Sequence, residues 1–517
     1  MPTTRKKCAL VPKYVSPNQL VLAGFESPFE TKLNPSNRWI VLAHLIPWDD
    51  ICSLYLKFVP ISSTGRPPLN PRVVLGSLII KHLCNLDDRE TVDQISENIY
   101  MQFFLGYSTF TNEAPFDASL FVDFRKRLGL ENLNAINERI VALKTRSENK
   151  TEIKPSDSNT KDSDNQTNTP LEVTHKGRVI MDATACPQNI AYPTDLNLLN
   201  DAREKLEELI DTLYNRSLHV QKPRTYRKVA RKDYLKTAQK KNKGQKVIRK
   251  AIREQLNYVN RNIKSINTLL DAYENLPFPL TPKEQKYLFV VQTLYDQQKQ
   301  MFDTRTHSVE HRIVSIHQPH VRPIVRGKAQ AKVEFGAKIH LSLVDGISFL
   351  DQLSWDAFNE GSYIMSYVEQ FKNRFGHYPS EVLADKIYCT RANRAALKDL
   401  GVKLVAKPLG RPSAVQIHLS PGERNPIEGK FGQAKNAYGL NCIKARLKET
   451  SESWIATIVL VLNLVKLAGV VLLCLLTKFL DSSSARLPKS VIGLFTYDSP
   501  YRCLFNLKYR NLNQIPA

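Results

Sequence analysis

The sequence predicts a mixed α/β protein: a helical N-terminal domain, then a sheet whose first strand is followed by a large helical, coiled-coil-like insertion. Three observations predict it. Residues 177–184 (Gly-Arg-Val-Ile-Met-Asp-Ala-Thr) are β-branched and apolar, and read as a short strand that ends by presenting Asp182. From Lys332 the apolar residues recur every second position through Leu343, and Asp345-Gly346 turns the chain into a further strand. Between these, Ile252, Leu256, Val259, Ile263, Ile266, Leu270 and Tyr273 recur four and three apart, which is helical heptad spacing.

The chain has 517 residues, more than one hydrophobic core usually supports, so two or more domains are expected. Lys and Arg number 73 against 50 Asp and Glu, and a net charge of +23 points to a polyanionic partner. Eight cysteines are scattered without a C-x-x-C pair, which argues against a zinc ribbon or redox pair. Arg5-Lys6-Lys7 is not followed by an apolar run, so no signal peptide is read and a reduced cytoplasmic protein is expected.

Residues 1–146 are expected to form the helical N-terminal domain. Asn34-Pro35-Ser36 is a helix start, with Pro where its missing N–H does no harm, and Trp39, Leu42, Ala43 and Ile46 share one face. Residues 65–71 (Gly-Arg-Pro-Pro-Leu-Asn-Pro) break the chain before a helix beginning at Val73; further helices are read over 91–104 and 116–128. Several short helices at such spacings suit either a helix-turn-helix DNA-binding module or a plain bundle. Residues 147–176 are a flexible linker, because 147–170 carry Ser, Asp, Asn, Thr and Lys with Ile153 as the one large apolar residue.

The insertion, residues 195–305, starts with a helix over 195–217 and ends with one around 287–301. Its apolar stripes are packing and carry no chemistry. Residues 222–264 are different, with 16 Lys or Arg against Asp233 and Glu254, and Tyr226 and Tyr234 interleaved. A charge run is commonly a solvated surface, but one so one-sided more often tracks a phosphate backbone, and Arg227, Lys228, Arg231 and Lys232 are the expected DNA contacts.

After the hairpin a helix over 363–375 leads into 381–385 (Glu-Val-Leu-Ala-Asp), a second short strand ending in a carboxylate. A helix over 391–400, a strand over 402–406 and a helix led by Glu428 follow, and the catalytic domain is taken to run over 177–480. Residues 455–476 are apolar and long enough to span a bilayer, yet Asn463 and Lys466 interrupt them and no second span exists. A buried helix covering the sheet is the better reading, with no membrane partner. The tail, 481–517, carries no signal.

Asp182, Asp385 and Glu428 are each weak signals alone, since such acids commonly cap helices or form turns. Together they stand where strand ends converge, and convergent carboxylates repel unless cations neutralise them. Oxygen ligands select Mg²⁺ or Mn²⁺, and two such ions can activate an attacking oxygen and stabilise a leaving one on a phosphodiester. Arg424, four residues before Glu428, and Lys435, seven after, approach the same helix face and can hold phosphates there.

The sequence resembles a bacterial insertion-sequence transposase of the DDE type with an RNase H-like catalytic core. The resemblance is carried by Met181-Asp182-Ala183-Thr184, by Ala384-Asp385-Lys386-Ile387-Tyr388 with Thr390-Arg391-Ala392-Asn393-Arg394, and by residues 424–432 (Arg-Asn-Pro-Ile-Glu-Gly-Lys-Phe-Gly). Residues 319–328 look like the stretch that returns from the insertion to the sheet, and residues 65–106 are similar to the N-terminal domain of InsH-like transposases. The resemblance implies that Asp182, Asp385 and Glu428 are the catalytic triad and ligands of two Mg²⁺ or Mn²⁺ ions. It implies double-stranded DNA partners, the transposon ends and a target, bound by a homodimer in the bacterial cytoplasm near the nucleoid. Related enzymes carry Tyr-x2-Arg-x3-Glu-x6-Lys, which Arg424, Glu428 and Lys435 match while Pro421 holds the tyrosine position. The alternative is an inactive DNA-binding protein derived from such an enzyme.

Overall fold

The computed structural model describes residues 32–58, 68–151, 175–274, 276–325, 333–406 and 422–482. Parts of the expected linker and tail, the break at 65–67, Pro421 and Arg326-Gly327-Lys328 lie outside the described residues. Contacts divide the chain into Met1–Lys466, which holds the whole sheet, and Leu467–Ala517.

Among the described residues six helices precede the sheet: α1 (Arg38–Leu45), α2 (Trp48–Phe58), α3 (Pro71–Cys84), α4 (Asp88–Glu97), α5 (Ile99–Leu105) and α6 (Leu120–Thr151). Local signals start and stop them. Asn70 accepts from the N–H of Arg72 and Pro71 opens α3, while Asp87 and Glu90 form a reciprocal capping box on α4. The single helix expected over 91–104 is divided at Asn98, whose side chain bonds the N–H groups of Tyr100 and Met101. Gly106 ends α5 at φ +89°, where a side chain would be strained. Trp39, Trp48 and Phe104 form the aromatic centre, and Arg72 is buried against them by donating to the carbonyls of Phe103 and Phe104. The expected helix over 116–128 runs on as α6 across a non-helical Gly129.

β1 (Arg178–Pro187) is longer than expected, so Asp182 lies in its middle rather than at its end. The insertion follows as α7 (Asp195–Leu213), α8 (Arg227–Ala238), α9 (Gln245–Asp271) and α10 (Pro282–Thr304). The heptad positions Leu256, Val259, Ile263 and Ile266 are buried with Leu199, Leu206, Leu213, Val291 and Leu294, so the stripes are packing. α8 stands inside the basic run ahead of the heptad stripe, a helix the sequence does not signal because only Ala230 and Thr237 give it a buried side.

The chain returns through β2 (Arg322–Val325), β3 (Val333–Val344) and β4 (Ile347–Ser354), then α11 (Ile364–Phe375), β5 (Glu381–Leu383), α12 (Arg391–Asp399) and β6 (Lys403–Val405). The sheet order is β2-β3-β1-β5-β6, with β4 also pairing β3. β1, β2 and β4 run antiparallel to β3, whereas β5 runs parallel to β1 and β6 parallel to β5. Asp345 and Gly346, both at positive φ, make the β3–β4 turn that the sequence signalled.

α13 (Asn425–Ala437) and α14 (Lys448–Ser482) complete the described chain. α14 is apolar and long enough over Lys448–Gly469 to cross a bilayer by composition, but 72% of that window is buried. Polar contacts fix it in place. Ser453 donates to the carbonyl of Arg125 on α6, and Asn463 bonds Asn137 on α6 and both backbone groups of Ser348 on β4. Lys466, three residues on, is exposed.

Candidate active site

The parallel register brings Asp182 and Asp385 together. Arg178 pairs Glu381, Val179 pairs Val382 and Ile180 pairs Leu383, a constant offset of 203 positions. Continuing it two residues sets Asp182 level with Asp385, on the same face as Ile180 and Leu383. β5 stops at Leu383, and Asp385 turns to cap a one-turn 3-10 helix, Lys386–Tyr388, by accepting from the N–H of Lys386 at 2.7 Å. Asp182 accepts from the N–H of Ala183 at 2.8 Å.

Arg424 binds both acids. One guanidinium amino group lies 3.2 Å from Asp182 Oδ2 and the other 3.4 Å from Asp385 Oδ1. Arg424 stands at the N-terminus of α13, whose Ile427, Phe431 and Ala434 are buried and so fix the helix's facing. Next to it, Glu423 takes a 2.6 Å ion pair from Arg178 on β1, tying this segment to the sheet.

Asp182 is held above the ordinary carboxylate range. Burial is the largest cause, the Ala183 N–H and Arg424 oppose it, and the charges of Asp385 and Glu360 add to it. Glu360 is the acid that the sequence did not suggest. It opens a short 3-10 helix, Glu360–Tyr363, and is bound by Lys338 of β3. Its side chain is only 15% exposed, so the Lys338 pair neutralises an acid close to the Asp182 pair. Tyr388, fully buried, has its hydroxyl pushed well above the usual range by burial first and by Glu360 and Asp182 next. A lone Glu in a loop between a strand and a helix carries no sequence signal that would have marked it.

Glu428 lies one turn along α13 from Arg424 and is exposed. Among the described residues no group of three or more His, Cys, Asp or Glu is arranged to hold a metal ion. Lys435 is half-buried near the far end of α13. Of the four cations expected to meet DNA, Lys228, Arg231 and Lys232 are exposed on α8. Arg227 is bound to Asp211 of α7 by two contacts of 2.9 Å.

Residues 27–127 match the Transposase domain (DUF772) family, and residues 382–465, spanning Asp385, Arg424 and Glu428, match the Transposase DDE domain family. A curated relative, the uncharacterized protein ORF8 in the nfe locus of Rhizobium meliloti, is 30% identical over 184 residues, covering 35% of this chain and 77% of that protein. No solved structure gives a significant match. With an N-terminal transposase domain ahead of a DDE domain that spans one of the two acids bridged by Arg424, the chain belongs to the insertion-sequence DDE transposases.

Proposed function

We propose that this transposase binds the ends of its insertion sequence, cleaves the DNA there and joins the freed 3′-hydroxyl to a target. The observation that carries the reading is the Asp182–Asp385 pair, close enough to share one guanidinium. An acid pair that already binds one cation, with Asp182 half-buried and Asp385 exposed, suits another, and its oxygen donors fit Mg²⁺ or Mn²⁺. Asp182 and Asp385 would hold such ions, with Glu428 the third ligand on the strength of the family motif. When bound, two divalent ions lower the pKa of an attacking water or hydroxyl and stabilise the leaving oxygen.

The chain's own residues do the rest. Arg424 neutralises the acid pair in the protein alone, and its planar fork matches a phosphate oxygen pair equally well. Lys338 holds Glu360 in an ion pair, which limits the extra negative charge felt at Asp182. The strand order, antiparallel on one side of β1 and parallel on the other, supports reading the sheet as RNase H-like. Residues 1–146 are then the N-terminal DNA-binding domain, 147–176 its linker, 177–480 the catalytic domain with the basic arm at 195–305, and 481–517 a tail. Lys228, Arg231 and Lys232 grip DNA phosphates, and a homodimer pairs the two ends in the cytoplasm.

A second reading, a DNA-binding protein without activity, is favoured by Arg424 lying between the two acids. Cleavage of a labelled transposon end in Mg²⁺ or Mn²⁺, with a gel shift on the same fragment, decides between them. Wild type cuts, whereas Asp182→Asn and Asp385→Ala bind without cutting. An Asp385→Ala protein cutting at the wild-type rate would overturn the site assignment.

A further inference from the structure

Away from the acid pair, α3, α4, α6, the loop before α14 and α14 itself enclose a cavity of about 290 Å³. Its wall contains two buried cations and one carboxylate to serve them. Lys81 Nζ lies 2.9 Å from Asp88, and Arg125 binds the same carboxylate at 2.5 and 3.3 Å. The side chains of Lys81 and Arg125 are 1% and 4% exposed. Trp454 shares part of the burden, with the two cations 4.6 and 5.3 Å from its ring centroid. Lys81 Nζ also donates to the Leu86 carbonyl at 2.8 Å, but neither that carbonyl nor a ring face carries a full negative charge, so the two cations share one carboxylate.

A second observation is independent of charge. Trp454 lines the cavity, is 6% exposed, and its Nε1–H has no hydrogen-bond partner among the described residues. A buried indole donor without an acceptor is uncommon in a finished core. Lys444 and Arg446, both exposed, stand at the rim, so the lining carries four cations against Asp87 and Asp88. Asp87 is already committed to capping α4.

We propose that this cavity is an anion site that receives one phosphate group, with Lys444 and Arg446 at its mouth and Arg125, Lys81 and the Trp454 N–H at its floor. The phosphate comes from a DNA backbone or from solution. The DNA source rests on the chain being a DNA-processing enzyme, while the phosphate chemistry does not.

The test uses the full chain and two variants: Trp454→Phe, which keeps the ring and removes the donor, and the exposed pair Lys444→Gln with Arg446→Gln. Thermal unfolding is followed in inorganic phosphate and in chloride at equal ionic strength. Because phosphate also stabilises proteins by exclusion, the readout is the rise in Tm of wild type over that of each variant. In parallel, binding to transposon-end DNA is measured across salt. An excess Tm rise with a slope of log K on log salt flattened by about 0.9 in the double variant assigns the site to a DNA phosphate. An excess rise with an unchanged slope assigns it to free phosphate. No excess rise overturns the site, and a slope change alone then marks Lys444 and Arg446 as ordinary surface contacts. Strand cleavage enters none of these readouts, so they stand apart from the fate of the acid pair.

Discussion

Replacing Asn463 with Leu asks whether the apolar helix α14 is a core element, and the answer is a sign. Asn463 is fully buried and bonds three ways. It accepts from the N–H of Ser348 at 2.8 Å and donates to the carbonyl of Ser348 at 2.7 Å and to Asn137 Oδ1 at 2.9 Å. Leucine fits by volume but offers no partner. The Ser348 carbonyl keeps a weaker bond from Asn137 at 3.3 Å, whereas its N–H is left unbonded. One orphaned buried donor costs about 1–3 kcal/mol, and the other lost bonds about 1 kcal/mol each, so a loss of about 3–5 kcal/mol is expected. A helix lying in lipid would respond the other way, since Asn to Leu makes it more apolar. The assay is thermal unfolding of the purified protein beside Asn463→Asp, which keeps the acceptor for Ser348. The Leu variant should melt well below wild type, and a Leu variant as stable as wild type would sink the reasoning.

Other outcomes follow from the same geometry. Asp182 is raised by burial, so the folded chain holds its proton more tightly than the unfolded one; the stability this gives is full below about pH 3.8 and fades as pH rises through the folded value. Asp182→Asn should therefore gain Tm on wild type between pH 3 and pH 7, and a gap that narrows with rising pH would contradict it. Neutralising Lys228, Arg231 and Lys232 together should flatten the salt slope of DNA binding by about 0.9 per lost contact. Arg227→Gln alone should change it less, because Asp211 already holds that side chain. Gly336→Ala should yield little folded protein, costing more than about 3 kcal/mol, because a Cβ there would stand 2.0 Å from the Cys186 carbonyl oxygen; near-normal expression would show that the β1–β3 crossing is looser than described.

Much of the sheet is readable in the sequence because its strands are apolar and end in turn formers or acids. The alternation from Val333 and the Asp345-Gly346 turn are both realised. Asp182 and Asp385 could be singled out as isolated acids on apolar runs, but their equal height follows from a register that only the paired strands reveal. β2 was missed because Arg322-Pro323-Ile324-Val325 is short and contains a proline, which an edge strand tolerates. α8 hid inside a charge run whose buried side is two small residues. Glu360 and its partner Lys338 are 22 positions apart and meet only through folding. The apolar stretch of α14 shows the limit most sharply, since its hydropathy suits lipid and only the bonds of Asn463 reveal a protein interior.

The basic arm leaves and re-enters the sheet at one place. β1 ends at Pro187 opposite Gly336, and β2 begins at Arg322 opposite the same Gly336 from the other side. The N–H of Gln188 then bonds the Phe335 carbonyl, closing the exit against the strand that receives the return. The arm is thus a cassette clipped into the ladder by two neighbouring anchor points. A cassette so mounted can lengthen, shorten or be exchanged between elements while the strands that set Asp182 beside Asp385 keep their alignment. Changes of length or charge in the arm would leave the β3–β1–β5 ladder, and with it the setting of the acid pair, as it is.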